Sequence, residues 1–416
     1  YAPAHAGIGL AWYLLTASRS TYGTLSLEES LSKSLPHIEK ALELDDELPE
    51  ALGVMGLTLD ARQRYEEALP YFEKSLALNP SLTDVRNWYS QTLDQLGRSD
   101  DALNEMEKAY ETDPLSVLTL NNYTNELVLR RRFDQVGPVL DRLAQIDPAR
   151  GMGFKGFVLI AQQRAADGVE QQLQAVDFDP ANLRLRAQSS FGLWSLGFKE
   201  AALEVWPFPE NILPLVSRGV DFEYRLELAQ KRFNDDPNNP DAIEDLAWAH
   251  WDAGHKEEAL ELAERYLRTL GATRQPIDGA NLMFALDAWQ RGDEETMLER
   301  LVGIEARIDQ QLASGLDFFW PHFQKAMILR MRGNASLALE HLEKAVTQAI
   351  FSDESLERFY GRMGFSEIPE FIELRTRNRQ YVAGERKKVL AKACGPDGFE
   401  VWRPSAAQCG KTPSPN

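Results

Sequence analysis

A fixed period constrains this sequence more than any other feature. The helix-ending stretches ALELDD, ALNP, ETDP and QIDP set Asp46, Pro80, Pro114 and Pro148 at successive intervals of 34 residues. A repeat of that length is one supersecondary unit, too small to bury its apolar face alone, so neighbouring units must stack to build a continuous core. In the unit ending at Pro80, Leu52, Met55, Gly56 and Leu59 share one helical face, and Ala68, Phe72 and Ser75 share the next. The following unit repeats the arrangement with Tyr89, Ser90 and Leu93, then Ala102, Met106 and Ala109. Small residues at Gly56, Ala68, Ser90 and Ala102 let paired helices approach closely, while the larger ones fill the gap between pairs.

This pattern resembles the tetratricopeptide-repeat family, most strongly over residues 40–148. The resemblance implies an all-α, right-handed superhelical solenoid of antiparallel helix pairs. Turn glycines at Gly197, Gly254, Gly292 and Gly333 continue it, giving about nine degenerate repeats over residues 2–350. Two features interrupt the array. The segment SRSTYGTLSLEES, after Trp12, lengthens the loop of the first repeat, and Trp206-Pro207-Phe208-Pro209, with Pro214 nearby, stops a helix. The predicted division is therefore an N-terminal superhelix over 1–207, a degenerate segment over 208–350 and a helical cap with an irregular tail over 351–416. Helices at Glu354–Tyr360 and Pro369–Ala393 read as that cap, which covers the last apolar face.

Charge and motif content narrow the function classes. The net charge of −19 argues against phosphate-backbone binding, so a nucleic-acid partner is not expected; acidic helix faces serve solubility or dock a basic partner. No apolar run nears the roughly 18 residues of a membrane span, and the chain opens at Tyr1 without an initiator Met or signal segment, as a piece excised from a longer polypeptide does. Gly151-Met-Gly153-Phe-Lys-Gly156 spells a dinucleotide fingerprint but follows a helix end, not a strand, so no cofactor is expected. The six histidines are scattered without i, i+4 spacing, so no metal is expected either. Ser30-x-x-Lys33 lacks companion motifs, and nothing assembles a catalytic set, so the chain is read as no enzyme. Seven basic residues between Arg375 and Lys392 face one acid, Glu385; they form the solvated face of a capping helix, or a contact for anionic headgroups or an acidic neighbouring domain. The aromatics Phe318, Phe319, Trp320 and Phe323, like Trp248 and Trp251, read as inter-helix packing.

Arrays of the family this chain resembles bind extended peptides in the groove lined by each repeat's first helix. Carried over by position, the resemblance places Asn87, Gln91 and Asp94 of one repeat and Asn121 and Asn125 of the next in that groove. They form either an amide ladder that pairs with a peptide backbone or ordinary polar lining. The expected partner is a protein or peptide. Cys394 and Cys409 are the two cysteines of the chain, both in its irregular tail, and are expected to form a disulfide, which persists in an oxidising compartment.

The opening YAPAHAGIGLAWYLL, the stretches YGTLSLEESL and HIEKALELDDELPEALGVMG, and the closing ERKKVLAKACGPDGFEVWRPSAAQC resemble the C-terminal repeat region of bacterial membrane-anchored signalling proteins. These are class III adenylate cyclases or winged-helix transcriptional regulators tethered by one span. The resemblance implies a periplasmic sensory or interaction region; a free-standing cytoplasmic scaffold or chaperone adaptor is the alternative.

Overall fold

Turns of one design set the architecture. In each, the residue after a left-handed position returns its N–H to a carbonyl five residues back: Arg64 to Leu59, Arg98 to Leu93, Arg132 to Leu127, Arg164 to Leu159, Phe198 to Leu193, His255 to His250, Asp293 to Ala288 and Asn334 to Leu329. This caps the first helix of a pair and reverses the chain into the second. The left-handed residue is glycine at Gly97 and Gly197, but Gln63, Arg131 and Gln163 hold the same conformation. Reading turns from glycine therefore passes over those three.

The computed structural model describes residues 1–16, 25–206, 222–270, 278–351, 353–361 and 363–410. Among them the chain is an all-α repeat array. Paired helices are α1 (Ala2–Leu14) and α2 (Leu27–Leu44), α3 (Pro49–Ala61) and α4 (Tyr65–Leu78), α5 (Thr83–Gln95) and α6 (Ser99–Thr112), and α7 (Val117–Leu129) and α8 (Phe133–Ile146). They continue as α9 (Pro148–Ala161) with α10 (Ala165–Phe178) and α11 (Leu183–Ser195) with α12 (Lys199–Val205). After α13 (Phe222–Asp235) come α14 (Pro240–Ala253) with α15 (Lys256–Leu270), α16 (Asp278–Arg291) with α17 (Glu294–Ala313), and α18 (Phe319–Met331) with α19 (Ala335–Gln348). The chain closes with α20 (Asp353–Leu356), a π-turn over Glu357–Gly361, and α21 (Pro369–Ala393).

The small residues act as the sequence requires. A β-carbon at Gly56 would meet the Phe72 ring at 2.7–2.9 Å, so α3 and α4 touch through that glycine. Ser90 donates to the Ala102 carbonyl and Ser190 to the Ala202 carbonyl, each at 2.8 Å, one contact in two repeats. The first repeat departs from expectation: part of the segment assigned to its long loop is helical. Ser26 and Glu29 form a reciprocal capping box, and α2 starts at Leu27. Residues 17–24 lie outside the described residues, as does the proline-rich bend of 207–221.

Two compact units emerge, and they do not follow the serial division. One joins Tyr1–Glu126 to Ala229–Leu316; the other joins Leu127–Leu228 to Asp317–Asn416. The predicted boundary at 207/208 falls outside the described residues, and the one at 350/351 runs through buried Ile350 and Phe351. In each unit a later stretch returns onto the turns of earlier helix pairs. In the first, Gln310 and Arg307 of α17 lie against Gly97, and fully buried Tyr266 of α15 lies beside Gln63. In the second, α21 packs on α10 and the tail closes over both: Val169, Leu173, Phe198, Val205, Val389, Phe399 and Trp402 share one core.

Candidate functional site

The groove positions are the first site to place. Asn87 is fully buried: its amide donates to the Thr83 carbonyl at 2.7 Å and to Thr119 Oγ1 at 3.0 Å, and its oxygen accepts from Asn122 at 2.8 Å. The amide ladder therefore exists, but it ties α5 to α7 and its donors are consumed inside the fold. Asn121 is also buried, whereas Asp94 and Asn125 are half-buried and Gln91 is exposed. The groove assignment is corrected at Asn87 and Asn121, because closely approaching first helices cover the fifth position of each. Gln91, Asp94 and Asn125 remain within reach of solvent.

The other motifs resolve into packing. The three glycines of the fingerprint lie inside α9, where β-carbons would meet Ala144, Leu185 and the Gly168 carbonyl at 2.6 Å each. They are small because neighbours touch there. Ser30 is buried, and the Lys33 ammonium sits 4.6 Å from the centre of the Trp12 ring. Phe323 is buried and stacks 5.5 Å from Trp320, which stays 44% exposed; Trp251 is buried against the edge of Trp248. Among the described residues no group of three or more His, Cys, Asp and Glu is placed to hold a metal. The histidines stand in three close pairs, His5–His37, His250–His255 and His322–His341, with Nδ1 atoms 3.1, 3.3 and 2.8 Å apart.

The basic run of α21 proves to be paired. Arg375 binds both Asp353 oxygens at 2.7 Å and also Glu357; Arg377 meets Glu343 at 2.9 Å, Lys388 meets Glu385 at 2.6 Å and Lys392 meets Glu170 at 3.1 Å. Arg386 donates to the Gly197 carbonyl at 2.8 Å and lies over the Phe198 ring. Buried Glu385 accepts the Ala166 N–H at 2.6 Å, an anion on the N-terminus of α10. Arg375, Arg386 and Lys392 thus clamp α21 to neighbouring elements, while Arg377, Arg379, Arg386, Lys387 and Lys388 stay exposed, in keeping with the solvated face of a capping helix.

A cleft of about 280 Å³ remains beside it, between the turn into α12, Phe351, Asp353 and α21. Trp194 and Phe351 give it apolar walls, and Lys199, Arg379 and Arg386 supply cations against the single acid Asp353. Because Arg375 already occupies both Asp353 oxygens, Arg379, 3.8 Å from that carboxylate, keeps donors to spare, and exposed Lys199 leans toward the Trp194 ring at 6.0 Å. Cations beside an apolar wall suit a carboxylate on an apolar stem. Periodicity gave no signal for this cleft, because it joins residues about 190 positions apart, as the Arg386–Leu196 contact does.

The tail beside it is fastened. Cys394 and Cys409 are joined by a disulfide, their Cα atoms 5.6 Å apart. Phe399 and Trp402 are buried, with Trp402 5.1 Å from Phe198 between ring centres, and Asp177 accepts the N–H groups of Glu400 and Val401 at 2.9 and 2.7 Å.

Comparison with known proteins agrees with the repeat geometry. Residues 59–117 match the family model of the tetratricopeptide repeat. That repeat is a protein-interaction module. No curated protein matches the chain. Among solved structures, it is similar to a thermophilic tetratricopeptide-repeat protein of Thermus thermophilus, with 17% identity over 46% of this chain and 99% of that one and a TM-score of 0.38. It is also similar to PilF of Pseudomonas aeruginosa, with 16% identity, 64% and 96% coverage and a TM-score of 0.29. Human IFIT1, solved as a dimer with PPP-AAAA, gives 15% identity, 76% and 79% coverage and a TM-score of 0.38. At such identities and TM-scores these likenesses assign no function to the chain. No helix among the described residues is long and apolar enough to cross a membrane.

Proposed function

We propose that this chain is a protein- or peptide-binding module whose partner presents a carboxylate to the cleft beside α21. The observation that carries the reading is the local excess of Lys199, Arg379 and Arg386 over Asp353 in a chain of net charge −19. Elsewhere an acidic surface repels acidic segments, so a cationic, apolar-walled cleft selects its position on the array. The test is binding of fluorescent peptides with and without acidic residues to the intact chain. Lys199→Ala with Arg379→Ala is expected to weaken the acidic peptides at least tenfold while the melting curve stays in place; unchanged affinity would move the site elsewhere.

We further propose that the module is the periplasmic part of a bacterial membrane-anchored signalling protein, an adenylate cyclase or a winged-helix regulator. The Cys394–Cys409 disulfide supports an oxidising compartment, and the sequence resemblance supports the parent. Alkylation of thiols in freshly lysed cells tests the compartment: two free thiols point to the cytoplasmic scaffold instead. The coding sequence ahead of Tyr1 tests the parent, through a membrane span preceded by a cyclase or winged-helix domain.

A further inference from the structure

One chain of contacts runs from the disulfide of the tail to the cleft beside α21. Arg386, a cation of the cleft, donates to the Gly197 carbonyl at 2.8 Å, and its guanidinium lies 4.4 Å from the centre of the Phe198 ring. Gly197 is left-handed, and a β-carbon there would come within 2.6 Å of Arg386 Nη1, so the cation rests against bare backbone. Trp402 of the tail packs on the same Phe198, with ring centres 5.1 Å apart. Phe198, Phe399 and Trp402 belong to one buried core. The tail therefore braces the turn that seats Arg386 and forms one side of the cleft.

The bridge governs how firmly the tail is held. Cys394 ends α21, where its N–H returns to the Leu390 carbonyl. Beyond Trp402, the hydrogen bonds of Ser405, Gln408, Cys409 and Gly410 stay within the tail, and Arg403, Ser405, Ala406, Ala407 and Gln408 are exposed. The bond to Cys394 is what returns this stretch to the helix. Both cysteines are half-buried, beside exposed Pro396, Gln408 and Gly410, which leaves the bond within reach of a small dithiol.

Opening the bridge is a balanced exchange. One thiolate of the dithiol attacks a bridge sulfur and forms a mixed disulfide, and the other sulfur leaves as a thiolate and takes up a proton. The second thiol of the reagent then displaces the remaining cysteine. Two electrons and two protons pass to Cys394 and Cys409, and the dithiol ends as a disulfide. The opened loop regains the freedom that closure had removed, so chains with an undocked tail gain population. Undocking takes Trp402 from Phe198 and loosens the turn against which Arg386 is set.

We propose that the Cys394–Cys409 bridge is a redox switch for the cleft, an inference that rests on the cleft as the binding site. Oxidised, the bridge keeps Trp402 on Phe198 and Arg386 in position for an acidic ligand. Reduced, it lets affinity fall with the docked fraction of the tail, and a loss of about threefold corresponds to docking in about a third of the chains.

The experiment measures binding of one fluorescent acidic peptide to the intact chain, oxidised and after dithiothreitol, with free thiols counted by alkylation. Reduction is expected to expose two thiols and weaken binding about threefold or more, and reoxidation to restore it. Cys394→Ser with Cys409→Ser should bind as the reduced chain does and ignore dithiothreitol. Trp402→Ala should show the loss with the bridge intact, and Trp402→Phe should recover most of the affinity. If reduction leaves affinity unchanged while Lys199→Ala with Arg379→Ala abolishes it, the switch is overturned and the cleft stands as the binding site. If that double variant binds normally, both readings fall. Should the reduced chain lose its helical spectrum, oxidised Trp402→Ala decides instead, and parental affinity in it overturns the switch.

Discussion

The two compact units fasten their returning stretches by different chemistry. In the unit of residues 1–126 and 229–316, the return lies on the helix-pair turns through Gln310 and Arg307 at Gly97 and Tyr266 at Gln63, beside the half-buried acid Glu244. In the unit of residues 127–228 and 317–416, it is seated by the Lys392–Glu170 ion pair, by Glu385 on the first turn of α10, and by a tail closed with a disulfide. Beneath both lies the same periodic packing of helix pairs. The periodic layer should therefore respond alike in either unit, whereas the returns should answer to different conditions.

The largest effect should come from the periodic layer. Phe72 is fully buried between α3 and α4 and meets Tyr89 of the next repeat at 5.8 Å. Truncation to alanine should cost about 3–5 kcal/mol, read by denaturant unfolding. Hydrogen exchange should localise the loss to residues 1–126 and 229–316; an equal loss in the other unit would mean that the two do not behave separately. Reduction of Cys394–Cys409, or Cys394→Ser with Cys409→Ser, should act on the other side. A sequence separation of 15 residues corresponds to about 3 kcal/mol in the chain-entropy view. Faster exchange is expected in α10, α12 and α21 with the first unit unchanged, and exchange unaffected by reductant would contradict this.

Sequence and structure agree where the physics is local. The 34-residue spacing, the small residues at Gly56 and Ser90 and the glycine turns all report contacts within one or two repeats, and periodicity records these directly. The returns and the cleft were not legible, because Glu385 reaches Ala166 over 219 positions and Arg386 reaches Gly197 over 189. The acidic partners that absorb the basic run likewise come from α10, α19 and α20, so a solvated face and a set of clamps look the same in one dimension. The histidines failed to register for the same reason. The tail cysteines were legible because nothing else in the chain could pair with them.

The return of the first unit should be the pH-sensitive one on the alkaline side. Burial, then Asp245 and Asp241, push the Glu244 carboxyl up to about 8, with neighbouring Tyr266 and Arg307 opposing. The folded chain keeps a proton that the unfolded chain gives up above about 4.5, so this site loses stability as pH rises toward 8 and the loss levels off beyond. Glu244→Gln should therefore leave the chain near its normal stability at pH 5 and raise it by about 2 kcal/mol at pH 9, a figure reduced from the full shift for partial solvent contact. Denaturant midpoints at the two pH values decide this, and an equal effect at both would assign the gain to packing.

The smallest effect separates the groove positions from one another, and it turns on what each amide already touches. Asn87 makes three hydrogen bonds within the fold, so Asn87→Ala leaves Thr119 and Asn122 short of partners at a buried site. That should cost about 1–2 kcal/mol. Gln91 stands one helical turn further along α5, exposed, and its alanine variant should stay within about 0.5 kcal/mol of the parent chain. A binding defect in Asn87→Ala would thus be confounded by altered packing between α5 and α7, whereas one in Gln91→Ala would report contact with the ligand. Affinity and melting temperature measured on both variants with the same peptide settle whether the groove takes part. If Gln91→Ala binds normally while Lys199→Ala with Arg379→Ala does not, recognition belongs to the second unit. If Gln91→Ala alone weakens binding at unchanged stability, the groove of the first unit is the contact, and the contrast between the units extends from how they hold together to which of them meets the partner.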